Sequence, residues 1–235
     1  MTDMLCLYAS QSELPNPEHL QLRLFIHEKG IATHVEEVIY DAPQGGEMHR
    51  CPYAAATPWG EAPSLALEDG SYLTNAGAIA RYLDQRFPGR KVLGKSDLEQ
   101  GQDAMWERRI FLHMLDRLMM AINIVHGDPE LQFTPPPDAQ WSAYYWREAL
   151  YHAAVMDRQF ADGRAWLLGG PKPTFADIAL YSAIVVSRLA SDQTALDVRF
   201  EHLRAFCQRW RDRPAFQAAF GEGQAGQAER IHLAA

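Results

Sequence analysis

Between Trp59 and Leu83 the chain reads W-G-E-A-P-S-L-A-L-E-D-G-S-Y-L-T-N-A-G-A-I-A-R-Y-L, a stretch that leaves few folds open. Ala62-Pro63 ends a loop, and the β-compatible runs Ser64 to Leu67 and Ser71 to Leu73 flank a tight Glu68-Asp69-Gly70 turn. Ala76, Ile79, Ala80 and Leu83 then recur at three- and four-residue spacing, which predicts a helix with one apolar face. Strands this short do not stand alone. They must form the edge of a larger sheet assembled from the residues before them.

Those residues supply it. Leu5 to Ala9 is an apolar run that reads as a buried strand, with Cys6 as a small core residue. Ser10 to Glu18 is a polar loop with Pro15 and Pro17, and a helix follows over Glu18 to Lys29, burying Leu20, Leu24 and Phe25 and ending at Gly30. Ile31 to Ile39 is the next strand. A β-α-β unit followed by β-β-α is the thioredoxin-like order. Asp41 to Tyr53, with Gly45-Gly46, Pro43 and Pro52, reads as an irregular loop.

Phe87-Pro88-Gly89-Arg90 closes the α/β part. The expected division is an N-terminal α/β domain over 1–88, a linker over 89–96, an all-helical domain over 97–220 and a tail over 221–235. The helical domain begins with one long helix, Asp97 to His126. A breaker-rich loop holding Pro135-Pro136-Pro137 separates it from a second helix, Gln140 to Phe160. Thr174-x-x-Asp177 has the form of a capping box with Asp in place of Glu, which makes Asp177 a folding residue at the start of the next helix. A helix over Phe200 to Arg211 and the unit Arg213-Pro214-Ala215-Phe216 end the domain.

Composition narrows the function classes. A net charge of −8 offers no attraction to nucleic acid or an anionic membrane, so small molecules are the expected partners. The start M-T-D-M-L-C-L-Y-A-S lacks the basic segment and long apolar core of a signal peptide, and no later run nears the ~18 apolar residues that span a bilayer. A soluble cytoplasmic protein is expected. Cys6, Cys51 and Cys207 are widely spaced, with no C-x-x-C and no Cys/His cluster, which disfavours a disulfide scaffold, a metal site and a dithiol centre.

The 59–83 stretch resembles the glutathione-binding half of the cytosolic glutathione transferases, which carry G-x-V-P-x-L-x-x-x-D-G-x-x-L-x-E-S-x-A-I-x-x-Y-L there. Gly60, Pro63, Leu65, Asp69, Gly70, Leu73, Ala78, Ile79, Tyr82 and Leu83 match in register. Asn16 to Gly30 resembles the N-P-x-x-V-R-x-x-L-x-E-K-G run of a bacterial branch, as does M-W-E-R-R-I at 105–110. W-L-L-G-G-P-K-P-T-F-A-D-I-A-L-Y-S-A-I at 166–184 is similar to the start of the family's central buried helix. The resemblance implies the glutathione transferase fold, a thioredoxin-like domain plus an all-α domain, in a homodimer that uses glutathione as co-substrate and no metal.

The resemblance also assigns residues. It implies a cis Ala62-Pro63 bond, with the Ala62 backbone holding the cysteinyl part of glutathione. His49 or Arg50 would face the glycine carboxylate, Arg50 being the better chemical fit because a guanidinium can donate two parallel hydrogen bonds. Asn75 and Ala76 fall where the family has an acidic residue and a Ser for the γ-glutamyl group. Asn75 loses the charge opposite the ammonium, and Ala76 keeps only its backbone N–H. Each missing contact costs about 1 kcal/mol, so weakened glutathione binding is expected.

Asn16 falls where other classes place a Ser or Cys, at a helix start whose unpaired N–H groups and partial positive charge stabilise a thiolate. Its amide can donate to that thiolate, can cap the helix, or both. Ser10 is the second choice, and Tyr8 reads as a packing residue near a strand end. The electrophile pocket, which in this fold lies between the domains, draws its candidates from Trp106, His113, Met120 and Tyr144; His113 and His126 could instead serve a proton relay. The expected chemistry is attack of the glutathione thiolate on a small hydrophobic electrophile. A disulfide reductase or peroxidase using the same site, and a non-catalytic binding protein on the same fold, stay open.

Overall fold

The computed structural model describes residues 4–11, 16–41, 62–126, 138–190 and 195–221. The chain divides into two compact units, residues 1–92 and 93–235.

In the first unit the central strand is β1 (Leu5–Gln11), whose Leu5, Leu7 and Ala9 are buried. It pairs in parallel with β2 (Val35–Asp41) and antiparallel with β3 (Ser64–Ala66), and β3 pairs antiparallel with β4 (Tyr72–Thr74), so the sheet order is β2-β1-β3-β4. The hairpin closes as the Asp69-Gly70 pair predicts. Gly70 takes φ +83°, the Leu67 and Gly70 N–H groups donate to Ser71 O and Leu67 O, and Asp69 accepts from the Ser71 N–H.

Helix α1 (Pro17–Lys29) starts with Pro at its first position and ends at Gly30, whose φ of +77° lets its N–H reach back to Ile26 O and His27 O. Its buried set is wider than the apolar face read from sequence, because Glu28 and Lys29 are buried as well. Lys29 Nζ sits 3.0 Å from Asp84 Oδ1 and donates to the backbone O of Asp84 and Arg90, while Glu28 pairs with Arg90. These pairs tie the end of α1 to α2 (Ala76–Arg86), whose Ala76, Ile79, Ala80 and Leu83 are all buried as their spacing predicts. The strand expected from Ile31 begins only at Val35. Residues 31–34 first complete a turn, His34 N–H to Ile31 O, before the chain reaches the edge of β1.

The second unit is helical. A full capping box between Ser96 and Glu99 starts α3 (Asp97–Ile110). The long helix expected over 97–126 is continuous but not uniform. A π-helical segment, Phe111–Leu115, separates α3 from α4 (Asp116–His126). Helix α5 (Ala139–Gln159) is capped by Asp138. Helix α6 (Phe175–Ala190) is the core element, apolar on nearly every side, with Phe175, Ile178, Leu180, Tyr181 and Ile184 at 2 % exposure or less.

Two carboxylates hold the start of α6. Asp103 of α3 accepts from the Ala176 N–H at 2.8 Å. Asp177 accepts from the N–H groups of Leu167 and Thr174, each at 2.8 Å, and from the Thr174 hydroxyl at 3.3 Å. Burial pushes the Asp177 carboxyl up to about 6, although those hydrogen bonds favour its ionised form. Around α6 pack α7 (Leu196–Arg199), α8 (Glu201–Arg211) and α9 (Pro214–Phe220), with the Trp210 ring 5.2 Å from Trp166 and 5.9 Å from Tyr181.

Candidate functional site

The first turn of α1 organises the N-terminal unit's candidate residues. Asn16 stands just outside the helix in extended conformation, and its Oδ1 accepts from the N–H groups of Glu18 (2.9 Å) and His19 (3.2 Å). That is the cap the sequence allows, satisfying two donors that have no partner within the helix. The other end of the same amide does something the sequence did not specify: Nδ2 donates to Ala62 O at 2.9 Å. The Ala62-Pro63 bond is cis, as the resemblance implied. Asn16 thus joins the start of α1 to the loop entering β3 across 46 residues of sequence. An amide nitrogen carries two hydrogens, and the bond to Ala62 uses one of them.

The second cluster lies at the start of α2. Asn75 has φ 70° and ψ 126°, a sparsely populated conformation for a residue with a side chain. Its Oδ1 accepts from the Ala78 N–H at 3.3 Å, and its Nδ2 donates to Glu18 Oε1 at 3.0 Å. Glu18 Oε2 accepts from the Ala76 N–H, also at 3.0 Å. A half-buried carboxylate from α1 therefore stands on Asn75, where the charge is missing, and on the Ala76 N–H beside it. Sequence reasoning missed Glu18. Its one local signal, an acidic residue in the first turn of a helix, says nothing of a partner 58 residues away.

Among the other hydroxyl candidates, Tyr8 lies within β1 with its ring 6.2 Å from Tyr72, and burial raises its hydroxyl pKa. That is the packing role expected of it. Ser10, expected in a loop, is instead a strand residue, paired in register with Tyr40. His49 and Arg50 lie outside the described residues.

In the helical unit the four pocket candidates lie on four successive elements, α3, the π-helical segment, α4 and α5. Trp106 lies on α3 with the Arg109 guanidinium 5.0 Å from its ring centre. His113 is exposed, sits in the π-helical segment and stacks on His152 of α5 at 4.5 Å. Burial, with His113 as a further cause, lowers the His152 pKa. Met120 is half-buried on α4, and Tyr144 packs edge-on to Trp141 and Tyr145 on the exposed side of α5. His126 is the last residue of α4. Burial raises the Cys207 thiol, which fits a packing role. Among the described residues no helix is long and apolar enough to cross a membrane, and no group of three or more His, Cys, Asp or Glu is placed to hold a metal ion.

Comparison with known proteins agrees with this fold. Residues 20–86 match the glutathione S-transferase N-terminal domain, and residues 140–209 match the glutathione S-transferase C-terminal domain. Glutathione S-transferase 2 of Saccharomyces cerevisiae is 24% identical over 201 residues, 85% of this chain and 83% of the yeast protein. Maleylacetoacetate isomerase of Pseudomonas aeruginosa is 26% identical over 185 residues, 77% and 80% of the two chains. The crystal structure of a glutathione S-transferase domain-containing protein from Marinobacter aquaeolei VT8 superposes with a TM-score of 0.76 at 28% identity, covering 90% of this chain and 99% of that one. With a thioredoxin-like α/β unit, an all-helical unit and both halves matched, the chain belongs to the glutathione S-transferase superfamily.

Proposed function

We propose that this chain is a glutathione transferase that binds reduced glutathione on its N-terminal unit and passes the thiolate to a small hydrophobic electrophile. The observation that carries the reading is the Asn16 amide, which caps α1 while bonded to the carbonyl beside the cis Ala62-Pro63 bond. A helix start with an amide N–H donor beside it is a place where a thiolate is favoured over a thiol. Lowering a thiol pKa by two units from about 8.5 raises the thiolate at neutral pH from a few per cent to about three quarters. The sulfur then forms a bond to the electrophilic carbon, and the leaving group departs with its electron pair.

Asn16 is the proposed thiolate donor, with Ser10 as the alternative. Ala62, Pro63, Asn75 and Ala76 are assigned to glutathione, with His49 or Arg50 for its glycine carboxylate. Trp106, His113, Met120 and Tyr144 are the residues assigned to the electrophile. Homodimer assembly is part of the same proposal.

Calorimetric titration of reduced glutathione at two pH values, with Asn16→Ala in parallel, tests it. Micromolar to low-millimolar binding that releases a proton near neutral pH is expected, together with turnover of an aryl halide. Turnover of mixed disulfides alone would assign the site to disulfide reduction. No binding at about ten millimolar would leave a transferase fold with another task.

A further inference from the structure

One side of the run from α3 into α4 is basic, although the chain carries a net charge of −8. Arg109, His113 and Arg117 follow one another at four-residue steps through the end of α3, the π-helical segment and the start of α4. In an ordinary helix each such step overshoots a full turn by about 40°, so the third residue would swing well off the line of the first. The π-helical turn closes on the fifth residue instead of the fourth and takes back part of that drift. The contacts agree. The His113 ring stacks on His152 at 4.5 Å and the Arg117 guanidinium lies 5.6 Å from the Tyr145 ring centre, so both side chains face α5.

Few acidic groups answer these charges. Asp116 Oδ2 lies 3.3 Å from Arg117 Nη1, and Glu148 of α5 is the carboxylate that acts on His152. The pKa of His152 is lowered all the same: burial is the largest cause, His113 and Arg117 add to it, and Glu148 opposes them. Among the described residues Arg109 has no ion pair. Its guanidinium is exposed, 5.0 Å from the ring centre of the half-buried Trp106. A guanidinium resting on an indole keeps its N–H edge for an anion, and the indole beside it offers aromatic surface to an aryl group.

We infer that the electrophile is an aromatic compound bearing one negative charge, and that Arg109, supported by Arg117, selects it. The inference rests on the glutathione transferase reading above and deepens it, since Trp106, His113 and Met120, assigned there to the electrophile, lie on the same helical run as the two arginines. A neutral ligand gains nothing from a guanidinium and strips water from it. An aryl carboxylate is paired by Arg109 through parallel hydrogen bonds while its ring packs on Trp106.

The test uses two aryl chlorides that differ by one charge, a chlorodinitrobenzoate and the neutral chlorodinitrobenzene. In both, the glutathione sulfur bonds to the ring carbon and chloride leaves with the electron pair. For the full chain, kcat/KM with each is divided by the rate constant of the same reaction in buffer. On that scale the benzoate is expected to be favoured about tenfold, the scale of one charge-assisted hydrogen bond. The preference should reside in KM and should fall to within about twofold in Arg109→Met. It should also weaken as salt rises to about 1 M, where charges are screened beyond about 3 Å.

A benzoate used no better than the neutral chloride overturns the inference, and so does a preference that survives in Arg109→Met. The first comparison needs no variant, so a misfolded Arg109→Met protein leaves the test intact. Turnover of neither chloride overturns the transferase reading, and the inference falls with it. Turnover of both without a charge preference overturns the inference alone.

Discussion

Replacing Asn16 separates its two roles, because Ala and Asp remove different parts of the amide. Asn16→Ala loses the cap on Glu18 and His19 and the donor to Ala62 O. A lost cap costs about 1 kcal/mol and a lost part-buried hydrogen bond about the same, so the folded state should lose about 2 kcal/mol. Asn16→Asp keeps an oxygen for the cap and adds a favourable charge at the helix start, worth about 0.5 kcal/mol, but sets a second acceptor against Ala62 O. Its net loss should be about 1 kcal/mol, by the same bookkeeping. Urea unfolding should therefore rank stability as Asn, then Asp, then Ala.

Thiol activation should rank differently. The ultraviolet absorbance of the bound thiolate, followed against pH, should give a pKa raised by about one unit in Asn16→Ala, the equivalent of one hydrogen bond. In Asn16→Asp it should rise further, because the carboxylate repels the thiolate. The two measurements cross only if Asn16 both caps the helix and donates to sulfur. Identical ranking in both assays, or an Asn16→Ala loss below about 0.5 kcal/mol, would refute the reasoning.

Three further outcomes follow from the same contacts. Asn75→Gly should stay within about 1 kcal/mol of the parent by urea unfolding, since relief at φ 70° offsets the lost cap, whereas Asn75→Ala should cost about 2 kcal/mol. Lys29→Met leaves the Asp84 carboxylate buried without its cation, the Lys29 side chain being 0 % exposed, and should cost about 3–5 kcal/mol in the same assay. Asp177 holds its proton more tightly folded than unfolded, so its contribution is full below about pH 4 and is lost as pH rises through about 6. Stability of the parent relative to Asp177→Asn should fall by about 3 kcal/mol across that window, and a flat difference would contradict the raised pKa.

What could be read from sequence was whatever local spacing decides. The α2 face follows from Ala76, Ile79, Ala80 and Leu83, the hairpin from Asp69-Gly70, and both ends of α1 from Asn16-Pro17 and Lys29-Gly30. The π-helical turn at Phe111–Leu115 left no trace, since its residues are as suited to an ordinary helix and the extra residue per turn is set by packing. Lys29, a cation at a helix end, is buried on Asp84, a partner no periodicity names. Glu18 illustrates the same limit within the site. The loss of charge at Asn75 was visible, and the carboxylate that stands there was not, because side chains reach across space and sequence patterns do not record the crossing.

Asn16 and Glu18 sit two residues apart on one turn, yet they fasten different segments, the loop at Ala62 and the start of α2. The cap formed by Asn16 runs to the N–H of Glu18 itself, so the backbone carrying the Glu18 carboxylate is held by the Asn16 side chain. Removing Asn16 frays that turn and weakens the bonds of Glu18 before Glu18 is touched. The two substitutions should therefore be less than additive. If Asn16→Ala costs about 2 kcal/mol and Glu18→Gln about 1, the double variant should fall short of their sum by about 0.5 kcal/mol or more. Strict additivity in urea unfolding would mean that the two tethers act separately. The start of α2 could then be altered without disturbing the start of α1; with coupling, changes at either residue alter both.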